Sequence, residues 1–210
     1  VNPNYDQLNA LWSRRFLVIP CFRYNLIAAH HVLAQYPMQL DSAYIRRHCH
    51  LVGLKEYLEN IQQVGGDVSI SYNDSMKSLA GLSLASVQGT LYINGNYSLK
   101  TLEGLEHIET VGGGLQVKDN VQLENINGLN NIESIGETLT VESNTKLMDV
   151  EGLESLHSVT DMLRIYGNDS LQSLQGLSNL QVVSDLQITR NKALMSIQEL
   201  DGVESLTGNL

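Results

Sequence analysis

The chain has 210 residues, 42% of them hydrophobic and 17% charged, which argues against disorder and leaves room for one or two ordinary domains. Its formal charge of −10 is uneven: residues 1–40 carry Arg14, Arg15 and Arg23 against Asp6, and beyond them 22 acids face 10 bases. An acidic body of this kind argues against nucleic acid and anionic lipid as partners.

Residues 1–40 differ in texture from the rest. Tyr5 to Ile19 and Phe22 to Gln35 read as two helical segments, divided by Pro20 and closed by Pro37. The most apolar stretch, Phe16 to Leu33, is broken by Pro20, Arg23, Asn25, His30 and His31, so no direct membrane insertion is expected. The chain opens on Val1, as a processed form or a fragment does. Cys21 and Cys49 leave two readings open, one disulfide or two buried thiols. His48, Cys49 and His50, with His30 and His31, lack the paired spacing of a metal site, so no metal or cofactor is expected.

From residue 66 the chain repeats. Asn73, Asn96, Asn120, Asn144, Asn168 and Asn191 recur at intervals of 23 or 24 residues. Five and three residues before each stand apolar pairs: Val68/Ile70, Leu91/Ile93, Leu115/Val117, Leu139/Val141, Leu163/Ile165 and Leu186/Ile188. That alternation predicts a strand with one buried face. Apolar residues then follow every third position, through Leu99 and Leu102 in the second coil, to a Gly-Leu pair such as Gly104-Leu105. Gly81-Leu82, Gly128-Leu129, Gly152-Leu153 and Gly176-Leu177 are its copies. In the last coil the pair is read as Gly202-Val203 after a three-residue insertion. A half coil, Leu58 to Gly66, matches Leu105 to Gly113, and a degenerate coil is read from Asp41 with Ala43/Ile45 as its strand.

A lone coil exposes most of its apolar side chains, so the units must stack to bury them. Each strand is followed by a full turn of chain before its copy recurs, which makes the pairing parallel. The expected fold is therefore mainly β: a right-handed parallel β-solenoid of about six to seven coils over residues 41–210, behind a helical N-terminal cap or docking segment at 1–40.

The run Leu139-Thr140-Val141-Glu142-Ser143-Asn144-Thr145-Lys146-Leu147, followed by Gly152-Leu153-Glu154-Ser155-Leu156, resembles the receptor L-domain family. It is similar as well to the L-type repeats of fungal cell-wall and protist surface proteins. The resemblance covers roughly 150 residues, close to the length of a common domain. It implies a non-enzymatic module that binds things or builds surfaces, in an extracellular or cell-surface location.

Two features could carry function. The six asparagines read as turn residues or as a stacked amide ladder. Asn73, Asn96 and Asn168 also open N-x-S sequons, and an inward amide competes with glycosylation there. The outward strand positions form the face most available to a partner: Tyr92, Asn94, Gln116, Lys118, Thr140, Glu142, Arg164 and Tyr166, flanked by Ser69, Ser71, Gln187 and Thr189. Glu142 is the lone carboxylate among them, which argues against acid–base hydrolysis on this face. Tyr92, Arg164 and Tyr166 are residue types that anchor interfaces. A protein or glycan partner is thus expected on the sheet. Thr207 to Leu210 read as the start of a further strand, which motivates a second expectation, self-association through the solenoid ends into a filament or surface layer.

Overall fold

The computed structural model describes residues 62–206, together with two short strands upstream, Leu17–Val18 and Met38–Leu40. Residues 62–206 form a parallel β-solenoid. One ladder joins Val68–Ser71, Leu91–Asn94, Leu115–Lys118 and Leu139–Glu142, then the second halves of Ser158–Tyr166 and Val182–Thr189. Every pair is parallel, and Leu91, Leu115, Leu139, Leu163 and Leu186 follow Val68 in one register. Six strands in this ladder make about five full turns.

A second, narrower ladder runs beside the first, through Gln63–Val64, Ser86–Val87, Thr110–Val111 and Ser134–Ile135. In these coils a glycine corner (Gly65-Gly66, Gly89, Gly112 to Gly114, Gly136) separates the short strand from the long one. The corner needs glycine where successive coils almost touch, as at Gly89, Gly112, Gly113 and Gly136. A Cβ on Gly136 would lie 2.0 Å from the carbonyl oxygen of Gly112. Thr160-Asp161 and Ser184-Asp185 replace the glycines in the next two coils. There the chain stays extended and both strands fuse into one, with an irregularity between Val159 and Met162.

The remainder of each coil is a chain of tight turns. In the fourth coil Leu147 N–H donates to Asn144 O, Leu153 to Val150 and Leu156 to Leu153, each bond spanning three residues. Apolar residues at every third position therefore all point inward, and Leu147, Val150, Leu153 and Leu156 are completely buried. Helical structure among the described residues is confined to three-residue turns such as Asn127–Leu129 and Glu151–Leu153. The glycine in that turn is a spacing requirement. A Cβ at Gly104, Gly128, Gly152 or Gly176 would sit within 2.1 Å of a carbonyl oxygen in the preceding coil.

Three sequence expectations change. No three-residue insertion occurs in the last coil: Leu200 N–H bonds Ile197 O and Val203 N–H bonds Leu200 O, as Leu177 and Leu180 do one coil earlier. Gln198–Leu200 is the same turn as Gln175–Leu177, with Glu199 where the glycine stood. Upstream, the place beside Val68–Ile70 is taken by Met38–Leu40 and not by Ala43/Ile45, which lie outside the described residues. Leu17–Val18, read as the end of a helix, is a strand paired with Met38–Gln39. The rest of the expected helical segments falls outside the described residues.

Substituting Gly152→Ala should destabilise the solenoid by about 3 kcal/mol or more, because the obstacle is main chain in a packed stack. Gly65→Ala, whose added methyl meets nothing within 4 Å, should change stability by no more than about 0.5 kcal/mol. Urea unfolding of the two variants checks this, and equal midpoints would refute the close-approach argument.

Candidate functional site

The long sheet ends, in every coil, on the same two-residue corner. Its first residue has left-handed backbone: Tyr72, Gly95, Asp119, Ser143, Gly167 and Arg190, with φ between 56° and 66°. Its second residue is the repeated asparagine. The left-handed residue is thus the one before the asparagine, and not the asparagine itself as a turn role had suggested. This twist swings the asparagine side chain from the sheet into the stack. Gly95 also leaves room for a neighbour, since a Cβ there would lie 2.7 Å from the Tyr72 ring.

Once inside, the amides join into a ladder along the solenoid axis. Asn120 N–H and Nδ2 both donate to Oδ1 of Asn144, at 3.1 and 3.3 Å, and Nδ2 donates again to Ile93 O at 2.8 Å. Asn96, Asn144 and Asn168 repeat the same three bonds, to Oδ1 of Asn120, Asn168 and Asn191 and to Ile70 O, Val117 O and Val141 O. Each internal amide thereby satisfies its donors and its acceptor, which is why four asparagines can be fully buried here without penalty. Asn73 is half-buried and starts the ladder, with Nδ2 on Asn96 Oδ1 and Ser71 O.

The three sequons consequently differ. The amides of Asn96 and Asn168 are wholly buried and committed to two acceptors each. A sugar on either would have to be attached before its coil closes, and would break the ladder at that point.

On the outer face the side chains form two registered rows. Ser69, Tyr92, Gln116, Thr140, Arg164 and Gln187 make one; Ser71, Asn94, Lys118, Glu142, Tyr166 and Thr189 make the other. Tyr92, Asn94, Gln116, Lys118, Glu142, Arg164 and Tyr166 are all partly exposed. Thr140, expected to be available to a partner, is only 6% exposed, and Ser71 only 9%.

Charged groups concentrate toward one end of the face. Oε2 of Glu142 lies 3.3 Å from Lys118 Nζ and accepts from Arg164 Nε at 3.2 Å. Arg164 Nη1 donates to Gln187 Oε1. The Arg164 guanidinium carbon lies 4.8 Å from the Tyr166 ring centroid, and that of Arg190 lies 5.3 Å from the same ring. Arg190 is a member of this group that sequence reasoning missed. Its signal was only that it precedes a ladder asparagine, the position whose turn carries it onto the sheet. Among the described residues no three potential metal ligands cluster, and no helix is long and apolar enough to cross a membrane. Cys21, Cys49 and the histidines around them lie outside the described residues.

Asn120→Ala should cost about 3–5 kcal/mol, because it strands the donors of Asn96 and the carbonyl of Ile93 in the interior. Asn73→Ala, at the half-exposed start of the ladder, should cost roughly 1 kcal/mol. Denaturant titration compares them, and similar losses would remove the ladder as the reason for the repeat. After passage through a glycosylating secretory pathway, the folded fraction should carry no sugar on Asn96 or Asn168, as read by peptide mass; occupancy at either would contradict their buried placement.

Comparison with protein-family models, with curated proteins and with solved structures finds no match to this chain.

Proposed function

We propose that this chain is a non-enzymatic recognition or adhesion module of the cell surface or extracellular space, binding a protein or glycan through the outer face of its long sheet. The observation that carries the reading is the composition of that face. Two straight rows of polar and aromatic side chains stand on a rigid, fully hydrogen-bonded sheet, with Tyr92, Arg164 and Tyr166 among them. Such rows give a partner a preorganised surface with little side-chain entropy left to lose. Glu142, the lone carboxylate of the rows, is held in two ion pairs, which fits a positioning role better than proton transfer. The extracellular assignment rests on the resemblance to surface L-type repeats. In the same reading the solenoid winds right-handed through six to seven coils in all, with the N-terminal segment as a cap.

A second reading is end-to-end stacking into a filament or surface layer, because a coil of this repeat pairs equally well with a coil of another copy.

Screening the tagged protein against arrays of glycans and surface proteins should return a ligand. Tyr92→Ala with Gln116→Ala should weaken its binding by about tenfold, the loss expected of a central interface residue, while His107→Ala on an exposed turn leaves it unchanged. Loss through the turn variant, or none through the face variant, would overturn the sheet-face reading. Light scattering across concentrations addresses stacking: a strictly monomeric chain at high concentration removes it.

A further inference from the structure

We propose that the partner engaged at the last coils of this face is an acidic polypeptide segment, bound by the basic cluster around Tyr166; this rests on the sheet-face reading above. Across the third to sixth coils three cations, Lys118, Arg164 and Arg190, face two anions, Glu142 in the outer row and Asp119 at the corner position that Arg190 occupies in its own coil. One carboxylate oxygen already serves both Lys118 and Arg164. Arg190 has no ion pair or hydrogen bond among the described residues and is exposed, with its guanidinium against the Tyr166 ring. Two guanidinium groups on one ring repel each other, and an added carboxylate relieves that repulsion.

The backbone sharpens the point. Arg190 sits in left-handed conformation at φ 58°, a place held by glycine in two other coils, Gly95 and Gly167, and by Tyr72, Asp119 and Ser143 in the remaining three. The corner requires no fixed residue type, and in the sixth coil it sets a long cationic side chain beside the Tyr166 ring. Geometry favours a peptide over a sugar. Arg164 and Arg190 both occupy the Tyr166 ring, which leaves it poorly placed to stack on a pyranose. Strands about 4.8 Å apart set the cations on the third, fifth and sixth coils at intervals of roughly 5–10 Å. An extended peptide laid across the strands repeats its same-side carboxylates every ~6.8 Å, within that range.

The test uses a fluorescein-labelled peptide of alternating glutamate and alanine, read by fluorescence polarisation at low ionic strength. Its controls are the glutamine–alanine counterpart and an oligogalacturonate. The glutamate peptide should bind, weaken as salt is raised, and lose about threefold to fivefold in affinity on Arg190→Gln. Arg190→Gly should lose the same affinity while melting no lower than the parent, because it removes the charge and relieves the left-handed strain. Lys77→Gln, an exposed lysine on the other side of the ladder asparagine, should leave binding unchanged. Glutamate peptide binding no tighter than the glutamine control, or binding indifferent to both Arg190 substitutions, overturns the proposal. Tighter binding of the oligogalacturonate through the same arginine overturns the peptide assignment in favour of an acidic glycan. If an array ligand depends on Tyr92 but is retained by Arg190→Gln, the sheet-face reading stands and this inference fails. If no face variant affects any ligand, both fail.

Discussion

Parallel strand pairing holds neighbouring coils about 4.8 Å apart, and each regularity of the chain answers to that spacing. A coil cannot drift from its neighbour by even one residue, because the long strands pair residue for residue along five turns. The spacing also decides which side chains fit at the corners. Where the main chains of two coils approach closely, at Gly104, Gly128, Gly152 and Gly176, no Cβ is tolerated. Where a polar group must lie in the interior, the same spacing lets the Oδ1 of one asparagine accept from the amide and main chain of the next.

The last coil shows what happens when one of these conditions lapses. Glu199 replaces the glycine of the tight turn, and one of its carboxylate oxygens is buried without a hydrogen-bond partner. The register nevertheless holds, because Ser205–Leu206 still pairs with Val182–Val183 and Glu204 N–H still reaches Gln181 O. Backbone pairing therefore survives the replacement of the turn glycine by Glu199. The same distinction explains why fused strands in the fifth and sixth coils leave the solenoid path intact: the corner changes, and the ladders on either side do not.

Function has a different relation to the repeat. Inward positions are fixed by burial, so they vary little from coil to coil, while the outer rows are free to vary and do. Each outer side chain is one strand spacing from its neighbours, so residues about 24 apart in sequence act as a local group. Lys118, Glu142, Arg164 and Arg190 span four coils, yet ion pairs and the Tyr166 ring link them. A rigid frame of this kind lets an acidic chain keep a small basic patch, since the coils cannot rearrange to neutralise it.

The sequence by itself determined the coil length, the strand positions, the inward residues and the asparagine column. All of these follow from a period of 23 or 24 residues superposed on alternation in the strands and a three-residue step in the turns. Val64 in the half coil was legible for the same reason, since it stands where Val87 and Val111 stand in the next two coils. What the tertiary structure alone decided depends on contacts between coils. It set the left-handed residue one place before each asparagine, and it buried Thr140 although its strand position points outward. It kept the last coil in register where Gly202 had suggested an insertion, because backbone pairing outweighs the match of one Gly-Leu pair. It carried Arg190 onto Tyr166 from the neighbouring coil. A local pattern tells which way a side chain points from its own strand; only the stack determines what it meets there.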